Sequence, residues 1–316
     1  GRLPQRPLEP LLAELVRHGM SATADGCDLH CQGQLRSGDY VLPGDVSSQF
    51  VSALLLALPL LPGDSTLTLT SAPESAPYIA MTEEVLAAAG ISLYRTGSRY
   101  RIPGGQRYRL PSHLTVEGDW SAAAFFLCAG AMSREGIAVD GLSLPTRQGD
   151  SALLPLLRQM GAVVNLSSGC ITVRKGRLRA TDIDARPIPD LIPPLSVLAA
   201  AAEGESHIQN ARRLRYKESD RLQGIAELLN SLGGCLTVDG DGLLIHGVSH
   251  LQGGTVDPMG DHRLAMSAAL AALSADAPVT VRDADCVSKS YPAFWADFQS
   301  LKGEAPCPAP SETPSV

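Results

Sequence analysis

The stretch GIAELLNSLGGCLTVDGDGLLIHG, residues 224–247, decides how the chain is read. A helical pattern stops at Gly233, the residue type expected just past a helix end. Two short strands follow, bent at Asp239-Gly240, a hairpin dipeptide. The same succession occurs three more times: LLAELVRHG ends at Gly19, EEVLAAAG at Gly90 and ALLPLLRQMG at Gly161. These glycines are about 71, 71 and 72 residues apart, a period too regular for chance. ISLYRTGSRYRIP after Gly90 and AVVNLSSGCITV after Gly161 repeat the strand, turn and strand, with Thr-Gly and Ser-Gly at the bends.

A second helix type alternates with the first. DVSSQFVSALLLALPLL, DWSAAAFFLCAGAM, DLIPPLSVLAAAA and DHRLAMSAALAALSA begin at Asp45, Asp119, Asp190 and Asp261, about 74, 71 and 71 residues apart. An Asp in that place reads first as a helix cap. Runs of small apolar residues without a polar face predict buried helices. Each repeat therefore has one interior helix, one amphipathic outer helix and strand pairs covering them. Interior helix starts carry free N–H groups and the positive dipole end. If the repeats pack about a common axis, Ser47, Ser48, Gln49, Asp119, Asp190, Asp261, His262 and Arg263 converge into an anion site.

Positive charge is gathered in one segment. Arg212, Arg213, Arg215, Lys217 and Arg221 lie within ten residues, in a chain whose formal net charge is -7. A helix from Glu218 onward places Lys217 and Arg221 about one turn apart on one side. A Lys point charge beside an Arg fork suits a ligand with phosphate and carboxylate groups. The plainer alternative is a solvated basic turn.

Composition narrows the class. A chain of 316 residues with 44% hydrophobic residues is long enough for about two domains with real cores. The acidic balance and 4% aromatics argue against nucleic acid as a partner. The apolar run from Phe50 to Leu61 ends at Pro62, Gly63 and Asp64, short of the ~18 residues a membrane span needs. Seven scattered cysteines read as reduced thiols in the cytoplasm. Cys27, His30 and Cys31 lack a second ligand pair of zinc spacing, so no metal is expected. Residues 303–316, GEAPCPAPSETPSV, read as a disordered tail. The opening GRLPQRPLEPLL enters a helix without a leader and reads as cut rather than started.

Several motifs, specific in combination, carry a resemblance over residues 1–301: Arg6-Pro7, GDVSSQF from Gly44, SAPY from Ser75, VEGDWSAAAFF from Val116, IPD from Ile188, RLRYKESDR from Arg213, GDHRLAM from Gly260 and SKSYP from Ser288. Together they resemble the 5-enolpyruvylshikimate-3-phosphate synthase family of enolpyruvyl transferases. The resemblance implies an α/β fold of two domains, built from βαβαββ units around buried helices, with the active site in the cleft between them. On this chain the domains are expected at residues 1–114 and 115–302. The family has six interior helices, of which four are visible here. Its opening Lys-Ser segment and Gly-Asn-Ala-Gly-Thr loop are not in the sequence, so the chain is expected to be an N-terminally truncated piece.

The implied reaction joins the enolpyruvyl group of phosphoenolpyruvate to a hydroxyl of shikimate 3-phosphate and releases phosphate, in a monomer without cofactor. It needs a base, an acid and cations for one carboxylate and two phosphates. The resemblance makes Asp190 the base, and Glu218 and Lys289 the alternatives for protonating carbon. It places Arg6, Arg221, Arg263 and Lys289 on phosphoenolpyruvate, and Ser47, Ser48, Gln49, Ser75 and Lys217 on shikimate 3-phosphate, with Tyr78 and Arg215 as lesser additions. Arg213 stands where the family often has Asn. Two other readings stay open: a non-catalytic module that binds a phosphorylated ligand, and the sibling UDP-N-acetylglucosamine enolpyruvyl transferase.

Overall fold

Helix stops govern the chain path. A computed structural model describes residues 7–26, 28–167 and 169–301; Arg6, Cys27 and the expected tail lie outside them. Gly233 takes φ +81°, its N–H donates to the Asn230 carbonyl at 3.0 Å, and Gly234 N–H donates to the Leu229 carbonyl at 2.8 Å. That is a Schellman stop, which an L side chain at the left-handed position would strain. Gly90 and Gly161 end their helices by the same bonds: Gly90 to Ala87 with Ile91 to Leu86, and Gly161 to Arg158 with Ala162 to Leu157. Each stop releases the chain into an antiparallel hairpin.

The chain divides into two compact units, residues 1–116 with 147–149 and residues 117–146 with 150–316. The first opens with α1 (Glu9–Arg17) and a hairpin, β1 (Met20–Asp25) with β2 (Asp28–Gly33). A complete βαβαββ repeat follows: β3 (Asp39–Leu42), α2 (Ser48–Ala57), β4 (Ser65–Leu69), α3 (Ala76–Ala88), β5 (Tyr94–Thr96) and β6 (Arg99–Ile102). Its sheet runs β3-β4-β6-β5, with β3 and β4 parallel across the α2 crossover.

The second unit begins with α4 (Trp120–Met132), β7 (Ile137–Asp140), α5 (Leu153–Gln159), β8 (Val163–Ser167) and β9 (Cys170–Arg174). Its complete repeat is β10 (Ile183–Asp184), α6 (Ile192–Ala200), β11 (Glu205–Gln209), α7 (Arg221–Ser231), β12 (Cys235–Asp239) and β13 (Gly242–His246). The sheet order β10-β11-β13-β12 reproduces that of the first unit. The parallel pair β14 (Gly254–Val256) and β15 (Val279–Val281) encloses α8 (His262–Ala271), and α9 (Phe294–Ser300) closes the described chain.

The core of this unit is the contact of α4, α6 and α8. Burial covers ten of thirteen residues in α4, nine of nine in α6 and nine of ten in α8, as small-residue helices require. Pro193 and Pro194 fit in α6 because they fall in its first turn, where N–H groups have no intrahelical acceptor.

Three local expectations need correction. Helix α7 begins at Arg221 rather than Glu218, because Asp220 caps it through Gln223 N–H at 3.2 Å, and Arg212–Tyr216 is a separate 3-10 segment. Helix α2 begins at Ser48, capped by Ser47, while Asp45 accepts a hydrogen bond from the Ser71 hydroxyl. Half of α2 is buried and Gln49, Ala53 and Leu56 are exposed, so it is not an all-round interior helix.

The stops are testable at Gly161, where φ is +95° and an added Cβ would stand 2.2 Å from the Arg177 carbonyl oxygen. Gly161→Ala is expected to lower stability by at least about 2 kcal/mol, read as a reduced urea midpoint. An unchanged midpoint would contradict this account.

Candidate active site

Helix starts and a turn bring one charged network together in the second unit. Asp190 lies inside the 3-10 turn Pro189–Leu191, and Leu191 rather than Asp190 stands at the cap position of α6, which corrects the reading of Asp190 as that helix's cap. Its Oδ1 faces three cations: Arg221 Nη1 at 2.8 Å, Lys217 Nζ at 3.3 Å and Arg263 Nε at 3.4 Å. Arg263, in the first turn of α8, also donates from Nη1 to the Asp190 carbonyl at 3.2 Å. Asp261 does cap α8, through Arg263 N–H at 3.0 Å. Asp119 likewise caps α4, accepting from Ser121 and Ala122 N–H.

Arg221 stands at the centre, 1% exposed. Nε and Nη2 donate to the two oxygens of Asp261 at 2.8 and 3.2 Å, Nη1 to Asp190 at 2.8 Å, and Nη2 to Glu218 at 2.7 Å. Four of its five N–H groups are thus committed to carboxylates. The fork expected to face an anion faces three side chains instead. Ser219 adds a hydroxyl bond to Asp261 at 3.0 Å. Glu218 reaches outward, where Lys289 Nζ donates to it at 2.7 Å.

The electrostatics follow this geometry. Burial alone would raise the Glu218 carboxyl, but Arg221 and Lys289 outweigh it and hold it at about 2. Burial would also raise Asp261, and Arg221 again wins, so its carboxyl stays below the usual range. Burial lowers Lys217, opposed by Asp190 and assisted by Arg221, Arg213 and Arg263. His262 falls to about 4, first through burial and then through the charges of Arg263 and Arg221.

In the first unit, the Ser71 hydroxyl accepts from Gly44 N–H at 2.9 Å and donates to Asp45 at 2.6 Å. Glu74 N–H donates to the Gly44 carbonyl at 3.1 Å, so the two loops are joined. The contact needs glycine, since a Cβ at Gly44 would lie 2.5 Å from the Ser71 carbonyl oxygen. This tie holds Ser47, Ser48 and Gln49, at the α2 start, beside the loop that carries Ser75. Ser75 is buried, with φ +53°. Arg215 is engaged elsewhere, donating to Asp220 at 3.2 Å and to the Gly240 carbonyl at 2.6 Å.

The sequence reading missed Asp150, whose buried carboxylate accepts from Ser121 Oγ, and Ser71. Neither sits in a motif, since an Asp before a helix and a Ser in a loop are common. Among the described residues, no group of His, Cys, Asp and Glu is placed to hold a metal ion, and no helix is long and apolar enough to cross a membrane.

A family model for EPSP synthase (3-phosphoshikimate 1-carboxyvinyltransferase) matches residues 1–298. The chain belongs to the EPSP synthase family. Within it, the chain is 43% identical over 279 residues to the 3-phosphoshikimate 1-carboxyvinyltransferase of Clostridium kluyveri, covering 87% of this chain and 65% of that one. It is 41% identical over 307 residues to the Clostridium perfringens protein of the same name, covering 96% and 72%. The EPSP synthase structure from Acinetobacter baumannii superposes with a TM-score of 0.76 at 28% identity, over 96% of this chain and 72% of that one. The chain therefore spans between 65% and 72% of the length of these relatives, and it has their enolpyruvyl transferase fold.

Two consequences of the network can be measured. Arg221→Gln leaves Asp261 and Asp190 without their main counter-charge and is expected to cost about 3–5 kcal/mol in chemical denaturation. For His262, the folded state resists protonation, so the unfolded chain binds more protons between about pH 6.5 and pH 4, and stability is lost as pH is lowered through that window. His262→Gln is expected to flatten that part of the stability profile; an unaltered slope would assign it to other groups.

Proposed function

We propose that the protein transfers the enolpyruvyl group of phosphoenolpyruvate to the 5-hydroxyl of shikimate 3-phosphate and releases phosphate. The observation that carries this reading is the joining of a carboxylate base and an ammonium acid through one arginine. Asp190 is fixed at Arg221, and Glu218, on the same guanidinium, orients the Lys289 ammonium. Family membership supports the same chemistry.

In this reading Asp190 takes the proton of the attacking hydroxyl as its oxygen bonds to the substituted carbon of phosphoenolpyruvate. The methylene carbon gains a proton in that addition, and loss of phosphate with removal of a methyl proton restores the double bond. Lys289 is the better donor to carbon. Glu218, held at about 2, is ionised across the working range and has no proton to give. Glu218 then serves to aim the ammonium.

Arg263 and Lys289 supply cations for phosphoenolpyruvate, and Arg221 joins them where an incoming anion displaces one of its carboxylates. Lys217 holds shikimate 3-phosphate, with Ser47, Ser48, Gln49 and Ser75 as hydroxyl, amide and helix-start donors. Arg6 completes the set by its motif. Residues 1–114 and 115–302 are read as the parts of the two domains present in the chain, acting in the cytoplasm as a monomer.

The test combines the full chain with both substrates and follows inorganic phosphate. Asp190→Asn and Lys289→Met are each expected to lower turnover by about 10²- to 10⁴-fold. Near-normal turnover in both variants would overturn the assignment. Calorimetric binding of shikimate 3-phosphate by the unsubstituted chain without phosphate release would instead favour a non-catalytic ligand-binding module.

A further inference from the structure

A second buried carboxylate lies beside the network and takes no part in the chemistry above. Asp150, in the 3-10 turn Gly149–Ala152 before α5, is 4% exposed. One of its oxygens accepts the hydroxyl proton of Ser121, from the first turn of α4. The other, Oδ1, is buried and has no hydrogen-bond partner among the described residues. A buried carboxylate left half-satisfied is costly when ionised and tolerable when it carries a proton.

The charges around it are mixed. The charges of Asp190, in the turn before α6, and Asp119, at the start of α4, disfavour its ionisation, and that of Arg263, in the first turn of α8, favours it. Arg263 is already held by Asp190 through both its carboxylate and its backbone carbonyl. An ionised Asp150 adds a second acidic group to the field at that guanidinium, whereas a neutral one leaves Arg263 to Asp190 alone.

We propose that Asp150 is a proton-linked positioning residue for Arg263: protonated, it adds no negative charge beside the guanidinium, and ionised, it competes with an incoming anion for that positive charge. The direction of its titration agrees. Burial is the leading cause and raises the carboxyl to about 6, against the Ser121 hydrogen bond, with Asp190 and Asp119 raising it and Arg263 lowering it. The neighbouring Glu218 and His262 titrate at about 2 and about 4, outside the window in which Asp150 changes charge. Anion capture therefore weakens as pH rises through about 6, as Asp150 takes up its charge. The inference rests on the reading of Arg263 as an anion-holding residue.

Sulfate is the suitable probe, because it does not titrate between about pH 5 and about pH 8, the range that brackets an Asp raised by burial. The full chain is titrated with sulfate at both values, following binding by calorimetry and the Arg263 Nε–H resonance by NMR. The unsubstituted protein is expected to bind about tenfold more weakly at the higher pH, the scale of one partly buried charge acting on another. Asp150→Asn is expected to bind equally at both values. Ser121→Ala removes a bond that favours the ionised form, and it is expected to move the midpoint of the change to higher pH, which a merely structural role would not do.

The same pH dependence in Asp150→Asn overturns the inference, as does an unmoved midpoint in Ser121→Ala; the latter also serves where Asp150→Asn does not fold. Arg263→Gln separates the two levels. Undiminished sulfate binding in that variant, or no sulfate binding by the unsubstituted chain at either pH, overturns the anion-holding reading and the inference with it. Loss of binding in Arg263→Gln beside a persistent slope in Asp150→Asn overturns the inference alone.

Discussion

One buried guanidinium sets the order of the second unit. Arg221 is enclosed almost completely and binds Asp190, Glu218 and Asp261, which come from three different elements. Removing such charges from water costs several kcal/mol per ion, and the cost is met only with good geometry and satisfied hydrogen bonds. That requirement fixes the starts of α6, α7 and α8 against one another. It also fixes what the site offers. Arg221 gives four of its five N–H groups to carboxylates, and Lys289, paired with Glu218 but largely exposed, is the more available positive charge.

The repeat makes this arrangement possible. Three helices of small apolar residues pack in one core, and two of them, α6 and α8, run between parallel strands, β10 to β11 and β14 to β15. Convergent helix starts bring unsatisfied N–H groups and positive dipole ends together. Carboxylates gather there for the same reason, Asp119 and Asp261 as caps and Asp190 as an ion-pair partner. The site thus has acids and bases intermixed, the condition under which protonation of one group alters its neighbours.

Much of the architecture was legible in the residues. The glycine stops, the hairpins with Gly at the bend and the Ala-rich helices are local decisions, each made by a few neighbouring residues. Gly90, Gly161 and Gly233 end their helices as their spacing implied, and Asp119 is the cap it resembles. The helix boundary at Arg221 was misread because Glu218 has good helix propensity, while the Asp220 side chain, bonding to Gln223 N–H, starts the helix later. Helix α2 was misread because apolar composition reports tolerance of burial, and only the packing decides which side is covered.

The sequence by itself determined the period, the element types, the family and the charged residues of the Arg221 network, since these depend on short-range pattern and shared motifs. Only the tertiary structure decided what those residues do to one another. Arg221 meets Asp190 and Asp261 across 31 and 40 positions, Lys289 meets Glu218 across 71, and Arg263 meets the Asp190 carbonyl across 73. Charge energies depend on distances of a few ångströms and on burial, neither of which is written in residue order. Asp190 as ion-pair partner rather than cap, Arg221 as an occupied fork and Asp150 as a half-satisfied buried acid are therefore properties of the fold.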